Sequence, residues 1–466
     1  MNITKEDVDS LNAVLTVEIA PEDYESKVTE VLKNHRKNVT MPGFRPGKVP
    51  FGMVKKMYGK SVLAEEVNQL LASSINGYIT ENQLEVLGNP LPKADSHPTE
   101  LDLGEAFSFS YELGLAPQFE VNLSEKDKFD YYRIQVDDAL VDKYTNDLAK
   151  RYGAVGSTDK VGETDLVRGE FVELNEKGEV KEGGIFHTST VSIEYVEDEK
   201  SKAALLGKGV EDVVLLDPDK VSRGPADKAA MLGVDKAAAE NVSNQFNFKV
   251  KEINTMTPHE LNQEFFDKVF GPGTVDSEEA FRQKVSEQLS QMLDQDADKK
   301  LRRDVSDTLI EKLKLDLPDD FLKRWLMATS EEKFSREELD ADYENYAKGL
   351  KWQLIENKII KENEVKVEPE EALARAKELL ARQLMQYGQT EFDDEMLENA
   401  AKQLLAKEED AKNIYTQLFD EKILTLFKER LKLKDKEVGF DEFVKLATGK
   451  PAKKGLLDNL NNLIKF

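Results

Sequence analysis

The residues best suited to specific chemistry lie between His35 and Lys60. This window holds seven basic side chains, Arg36, Lys37, Arg45, Lys48, Lys55, Lys56 and Lys60, and no carboxylate. With 91 Asp and Glu in 466 residues, about five acids would be expected in a window of this length. Within it, Gly43-Phe44-Arg45-Pro46-Gly47-Lys48 combines two glycines, an aromatic ring and two cations. The glycines permit a tight projecting turn. Phe44 has no helical or strand periodicity to place it in a core, and beside Arg45 it reads as an anchor of the kind enriched at binding hot spots. The charge pattern alone leaves two readings open: an exposed dock, or a solvated basic turn whose Phe folds back onto its own domain.

Other chemistries find little support. Cys is absent, which excludes disulfides, thiolate catalysis and Cys-ligated metals. The four His residues, 35, 97, 187 and 259, lie far apart and lack metal-ligand spacing. His187, in Ile185-Phe186-His187-Thr188, reads as a surface strand residue. The acidic pairs Asp393-Asp394 and Glu408-Glu409 lack a calcium-loop pattern and read as solvated helix ends. Gly207-Lys208-Gly209 is too short for a phosphate loop. No cofactor, metal or nucleotide is expected.

The body around this window is strongly acidic, with a formal net charge of -26 and 33% charged residues. Such a surface is soluble and self-repelling, and it argues against wholesale coating of nucleic acid. A positive tip on a negative body can reach an RNA-rich surface while the rest is repelled from it. There is no run of 18 or more apolar residues, so no membrane partner is expected. The start, Met1-Asn2-Ile3-Thr4-Lys5-Glu6-Asp7, has no apolar core of a signal peptide. With the absence of Cys, this fits a cytoplasmic location.

The chain is too long for one core, and the periodicities divide it. Residues 1–116 read as α+β. Leu11, Ala13, Leu15, Val17 and Ile19 alternate as in a half-buried strand. Pro21 opens a helix with Tyr24, Val28, Val31, Leu32 and His35 on one face. Pro42 to Pro50 breaks it, and a second helix carries Val62, Leu63, Val67, Leu70, Leu71 and Ile75. A further strand holds Phe107, Phe109, Tyr111 and Leu113. Residues 117–151 form a connector with a short helix reaching Arg151. Residues 152–253 are richer in Gly and short β runs, including Phe171-Val172-Glu173-Leu174 and Phe246-Asn247-Phe248-Lys249-Val250. Residues 254–446 are almost wholly helical, with Asp276 as the expected N-cap of the first long helix and single-sided apolar stripes. Residues 447–466 form a tail that either docks on the body or is disordered, disorder being the more frequent state of chain ends.

The run Gly43-Phe44-Arg45-Pro46-Gly47-Lys48-Val49-Pro50 resembles the ribosome-binding signature of trigger factors, Gly-Phe-Arg-x-Gly-Lys-x-Pro. Tyr58-Gly59 and Val62 also resemble the family, and the domain order matches over residues 1–446. The resemblance implies a multidomain α+β architecture: a ribosome-docking domain, a small β-rich FKBP-like domain and an extended helical C-terminal domain whose arms form a cradle. It implies contact of Phe44, Arg45 and Lys48, shaped by Gly43 and Gly47, with a ribosomal protein and rRNA at the exit of the peptide tunnel. Nascent unfolded polypeptide would be the client, and the unoccupied cradle would allow a homodimer. Pro46 stands where many members carry Lys.

The resemblance also implies an isomerase-like middle domain, which would act by binding a twisted prolyl bond in an aromatic pocket. The family pattern there is Val-x-x-Asp-Phe-x-Gly. This chain has Val167-Arg168-Gly169-Glu170-Phe171-Val172-Glu173, so Phe171 matches, Glu170 replaces Asp and Glu173 replaces Gly. Val180 stands where a pocket Phe is expected. Glu170 and Phe171 remain the candidate prolyl-pocket residues of a site that has lost much of its pattern. The expected function is thus an ATP-independent, ribosome-associated chaperone for nascent chains. Two alternatives stand beside it: an active peptidyl-prolyl isomerase, and a helical adaptor without ribosome contact.

Overall fold

The computed structural model describes all residues except 40–41, 43, 45–47, 95, 97, 99, 241, 331–334, 387–392, 453–459 and 461–466. The expected docking residues Gly43, Arg45 and Gly47, with Pro46 between them, therefore lie outside the described residues, as does His97. In chain order come β1 (Asn2–Asp7), β2 (Asn12–Ile19), α1 (Pro21–Asn38), α2 (Phe51–Glu81), β3 (Leu91–Pro92) and β4 (Phe107–Gly114). Then follow β5 (Lys128–Ile134), α3 (Asp138–Arg151), β6 (Ala154–Ser157), β7 (Leu166–Glu173) and β8 (Phe186–Ser192). Next are α4 (Glu199–Leu205), β9 (Val213–Leu216), α5 (Pro218–Val221), α6 (Pro225–Leu232), α7 (Lys236–Glu240) and β10 (Phe246–Thr257). The remainder is α8 (Gln263–Phe270), α9 (Glu278–Leu313), α10 (Asp319–Thr329), α11 (Arg336–Glu362), α12 (Pro369–Gln386), α13 (Asp394–Leu405), α14 (Glu408–Arg430), β11 (Lys432–Val438) and α15 (Phe440–Thr448). The mixed helix-and-sheet architecture is the one expected.

The elements gather into two compact units, 1–129 with 301–433, and 130–300 with 434–466. In the first, an antiparallel sheet runs β1-β2-β4-β3. Strand β2 alternates as its sequence predicts, and Ala13, Leu15, Val17 and Ile19 are all buried. Against this face pack α1, through Tyr24, Val28 and Leu32, and α2, through Val54, Leu63, Val67 and Leu71. Each such side chain, fully buried, contributes about 1.5–3 kcal/mol. Further along the chain, Arg302 of α9 bridges Glu356 of α11 at 2.9 Å and Asp420 of α14. Helices α12, α13 and α14 meet around Ala372, Ala376, Ala401, Ile414 and Leu418.

The second unit holds two cores. One joins α3, α8, the first half of α9 and α15 through Tyr144, Phe265, Phe281, Leu289 and Phe443. Leu460 of the tail is buried in this core, so of the two states left open the tail docks at that residue. Helix α9 starts at Glu278, and the Ser277 hydroxyl accepts from the Ala280 N–H at 3.3 Å. Ser277 therefore takes the cap position expected of Asp276, one residue later, because its shorter side chain sits directly before the first helical turn. The C-terminal stretch is also not wholly helical: β11 pairs with β5 through cross-strand charges, Arg133 with Asp435 and Lys436 with Asp130.

The other core belongs to a sheet ordered β6-β10-β7-β8, with β9 also on β10. Phe171, Phe246 and Phe248 fill its centre. Glu173, at the end of β7, is only 3% exposed at its side chain. It accepts from Lys181 Nζ at 2.7 Å and from the Ile185 N–H at 3.0 Å. Burial pushes its pKa up, but the Lys181 ammonium and the Ile185 amide outweigh burial and leave it below the ordinary carboxylate range.

Two tests follow from this packing. Gly88 has φ +76°, and a Cβ there would lie 2.7 Å from the Trp325 ring of α10. Gly88→Ala is expected to destabilise the first unit by about 1–3 kcal/mol. Red-shifted Trp325 emission in a Trp352→Phe background should report it, and unchanged emission and melting would refute the contact. Glu173→Gln should destabilise the β domain by about 1–3 kcal/mol at neutral pH. Because the folded pKa is depressed, this stabilisation is present above the unfolded value and lost as pH falls through the folded one. Melting curves of the two proteins should thus converge on acidification, and a gap that persists in acid would contradict this account.

Candidate docking tip and client surfaces

The docking loop joins the C-terminus of α1 to the N-terminus of α2. Four contacts fix its stem. Arg36 Nε donates to the Val49 carbonyl at 2.7 Å. The Val49 side chain is fully buried. His35 stacks on Tyr58 with ring centroids 6.1 Å apart. The Met53 and Val54 N–H groups donate to the Pro50 carbonyl and start α2. The ends of the loop are thus anchored by groups of which sequence reading assigned only Arg36 to its charge. Arg36 spends its guanidinium on the stem.

Phe44 is 38% exposed, and Lys48 is exposed. Of the two readings left open by charge, this exposure favours the projecting anchor over a ring folded back into the core. Lys55 and Lys56 are exposed on the first turns of α2, whose first turn carries no acid. Lys60 differs: it pairs with Asp102 at 3.0 Å and Glu100 at 3.1 Å. Asp102 and then Glu100 raise its pKa, and its charge is locally neutralised. The free positive surface is therefore narrower than the sequence window, and lies towards the loop.

Glu170 and Phe171 point to opposite faces of β7. The Phe171 ring is fully buried, 4.7 Å from the Phe248 ring and 6.2 Å from Phe246. Glu170 faces outward and pairs with Lys251 at 3.4 Å. Val180, at the position expected of a pocket Phe, is 65% exposed. His187 is half-buried rather than on the surface, because Gly233, the left-handed cap of α6 (φ +67°), packs against its ring. Among the described residues no group of His, Asp or Glu could hold a metal ion. No helix among them is long and apolar enough to cross a membrane.

Sequence reading missed an apolar groove in the first unit. It measures about 640 Å³ and is lined by Leu84, Leu87, Trp325, Tyr346, Leu350 and Leu354, with Gln353, Asn357, Lys358 and Lys361 also on its walls. The Trp325 Nε1 is buried without a partner. The helical stripes signalled apolar faces, but not that a loop of the docking domain would face α10 and α11. Met385 of α12 and Met396 of α13 are also exposed.

Comparison with known proteins agrees with this arrangement. Residues 1–148 match the family described as bacterial trigger factor protein, 156–258 the trigger factor FKBP-like domain, and 297–447 the probable trigger factor C-terminal domain. A trigger factor of Alkalilimnicola ehrlichii is 24% identical over 82% of this chain and 84% of its own length. One from Chlorobaculum tepidum is 26% identical over 86% and 94%, and one from Francisella tularensis subsp. novicida 26% over 71% and 72%. A solved trigger factor chaperone chain aligns over 92% of this chain and 99% of its own, with 18% identity and a TM-score of 0.42. With its three parts matched in order, the chain belongs to the trigger factor family of ribosome-associated chaperones.

Proposed function

We propose that this cytoplasmic chaperone docks at the tunnel exit through Phe44, Arg45 and Lys48, touching both ribosomal protein and rRNA. The observation that carries this is the exposed Phe44 beside an exposed Lys48, on a tip without a carboxylate. An apolar anchor gives the contact its short-range affinity, and the cations give long-range attraction to phosphate. Pro46 brings no charge, so the salt dependence is shallower than a Lys there would give.

Client chains rest on the groove of Trp325, Tyr346 and Leu350 and on the exposed methionines of α12 and α13. Unbranched thioethers adapt to many apolar sequences. Release needs no nucleotide, because such contacts are weak and exchange quickly. In the free protein the same surfaces bring two copies together, which sedimentation velocity would detect.

The middle domain serves as a binding module rather than an efficient isomerase. Its three core rings pack on one another and leave Phe171 no face for a prolyl substrate.

Phe44→Ala and Lys48→Glu are each expected to weaken co-sedimentation with purified ribosomes about tenfold or more. Far-UV circular dichroism should be unchanged. Undiminished binding by both would favour the adaptor. Substoichiometric chain should leave a proline-limited refolding phase near its uncatalysed rate. Marked acceleration would favour the isomerase.

A further inference from the structure

The 31-residue helix α2 carries one apolar seam along its length, Met53, Met57, Ala64, Val67, Leu71 and Ile75, interrupted only by Lys60. These positions recur at three- and four-residue steps and share a face. Down the helix the seam is core: Val67, Leu71 and Ile75 are buried. Towards the loop it is bare, with Met53 42% and Met57 56% exposed. The boundary has a visible cause. The segment 100–103 covers the helix only as far as Gly59, which touches Leu103, and Lys60, which it holds through Glu100 and Asp102. On the adjoining side α1 closes over Val54 and Tyr58.

We infer that Met53 and Met57 form a second contact of the docking domain, for an apolar protein surface rimmed with acidic side chains. This rests on the docking reading above and extends it along α2. Continuity supports it, since α2 begins three residues after Lys48, and charge supports it too. Lys56 borders the two methionines on α2 while Lys55 lies on the opposite face, Lys48 lies just upstream, and the whole window from 35 to 60 lacks a carboxylate. A phosphate backbone would use the lysines and gain nothing from two thioethers. An acidic-rimmed apolar surface uses both. Phe44 then anchors one end of a strip whose other end is the methionine pair.

The test uses the full chain with purified ribosomes. Met53→Ser/Met57→Ser should weaken binding about tenfold, and Met53→Leu/Met57→Leu should stay within about twofold of the parent. The salt dependence should not change in either, because no phosphate contact is lost. A photo-crosslinking benzoylphenylalanine at position 57 should label ribosomal protein. Label on rRNA or on a second copy would overturn the inference. So would full binding by the serine variant while Phe44→Ala loses it. If Phe44→Ala also binds fully, the docking reading itself fails.

Discussion

The docking end depends on one packing arrangement, α1 laid against α2 over the β2–β4 sheet. A short loop makes too few contacts of its own to offset the entropy of ordering it. Its described ends are set by the helices they join. Tyr24 pins α1 from below: its hydroxyl donates to the Glu105 carbonyl at 2.8 Å and accepts from the Gly104 N–H at 3.0 Å. Arg36 and Val49 pin the stem from above. The cationic tip is presented by an apolar core, and the two cannot be separated. A cavity in the seam at Leu32 or Leu63 would loosen the loop before it unfolded the domain.

A holding surface must stay uncovered, yet uncovered apolar surface invites self-association. Here the net charge of -26 opposes that approach. Screening limits the repulsion to about 8 Å at physiological ionic strength. It therefore acts between whole bodies and hardly at all on an extended, near-neutral client segment. The groove fits this division. Its floor is apolar, while its rim carries Lys358, Lys361 and Glu85. The docking tip reverses the sign of the body's charge only locally, and the Lys60 pairing with Glu100 and Asp102 makes that reversal still more local.

Where burial is one-sided and local, the sequence was legible. Strands β2 and β4 and helices α1 and α3 announce themselves by period, and the Gly-Phe-Arg-x-Gly-Lys run marks the loop. Strands β1 and β11 were not legible. Asn2–Asp7 is an edge strand with only two half-buried residues, and Lys432–Val438, paired with β5 through its backbone, is mostly exposed, so neither shows apolar alternation. Helix α8 is short, and its signal, Phe265 and Phe266, looks like any aromatic pair until Phe281 packs on both. The site divides the same way. Exposure of Phe44 follows from its lack of period, whereas neutralisation of Lys60 depends on residues 40 or more positions away. The groove needs four separate segments to meet, which no periodicity encodes.

The middle domain is organised around the rings of its central sheet. Gly169 lies so close to β10 that a Cβ would sit 2.5 Å from Phe248 Cζ. That approach draws Phe248 over Phe171, and Phe246 completes the cluster. A pocket for a twisted prolyl bond needs aromatic walls that are not satisfied by one another. These rings are, and prising them apart would expose apolar area that only a tightly bound substrate could offset. Glu173 acts in the same direction. Where the family pattern has a glycine, its carboxylate ties β7 to Lys181 and Ile185 and stiffens the neighbouring hairpin. On the outward side of this sheet Phe186, Val172 and Leu215 fall in one row with Asn247 by strand register. Phe186 and Leu215 are exposed at the ends of that row. The domain thus turns its three rings inward and this row outward.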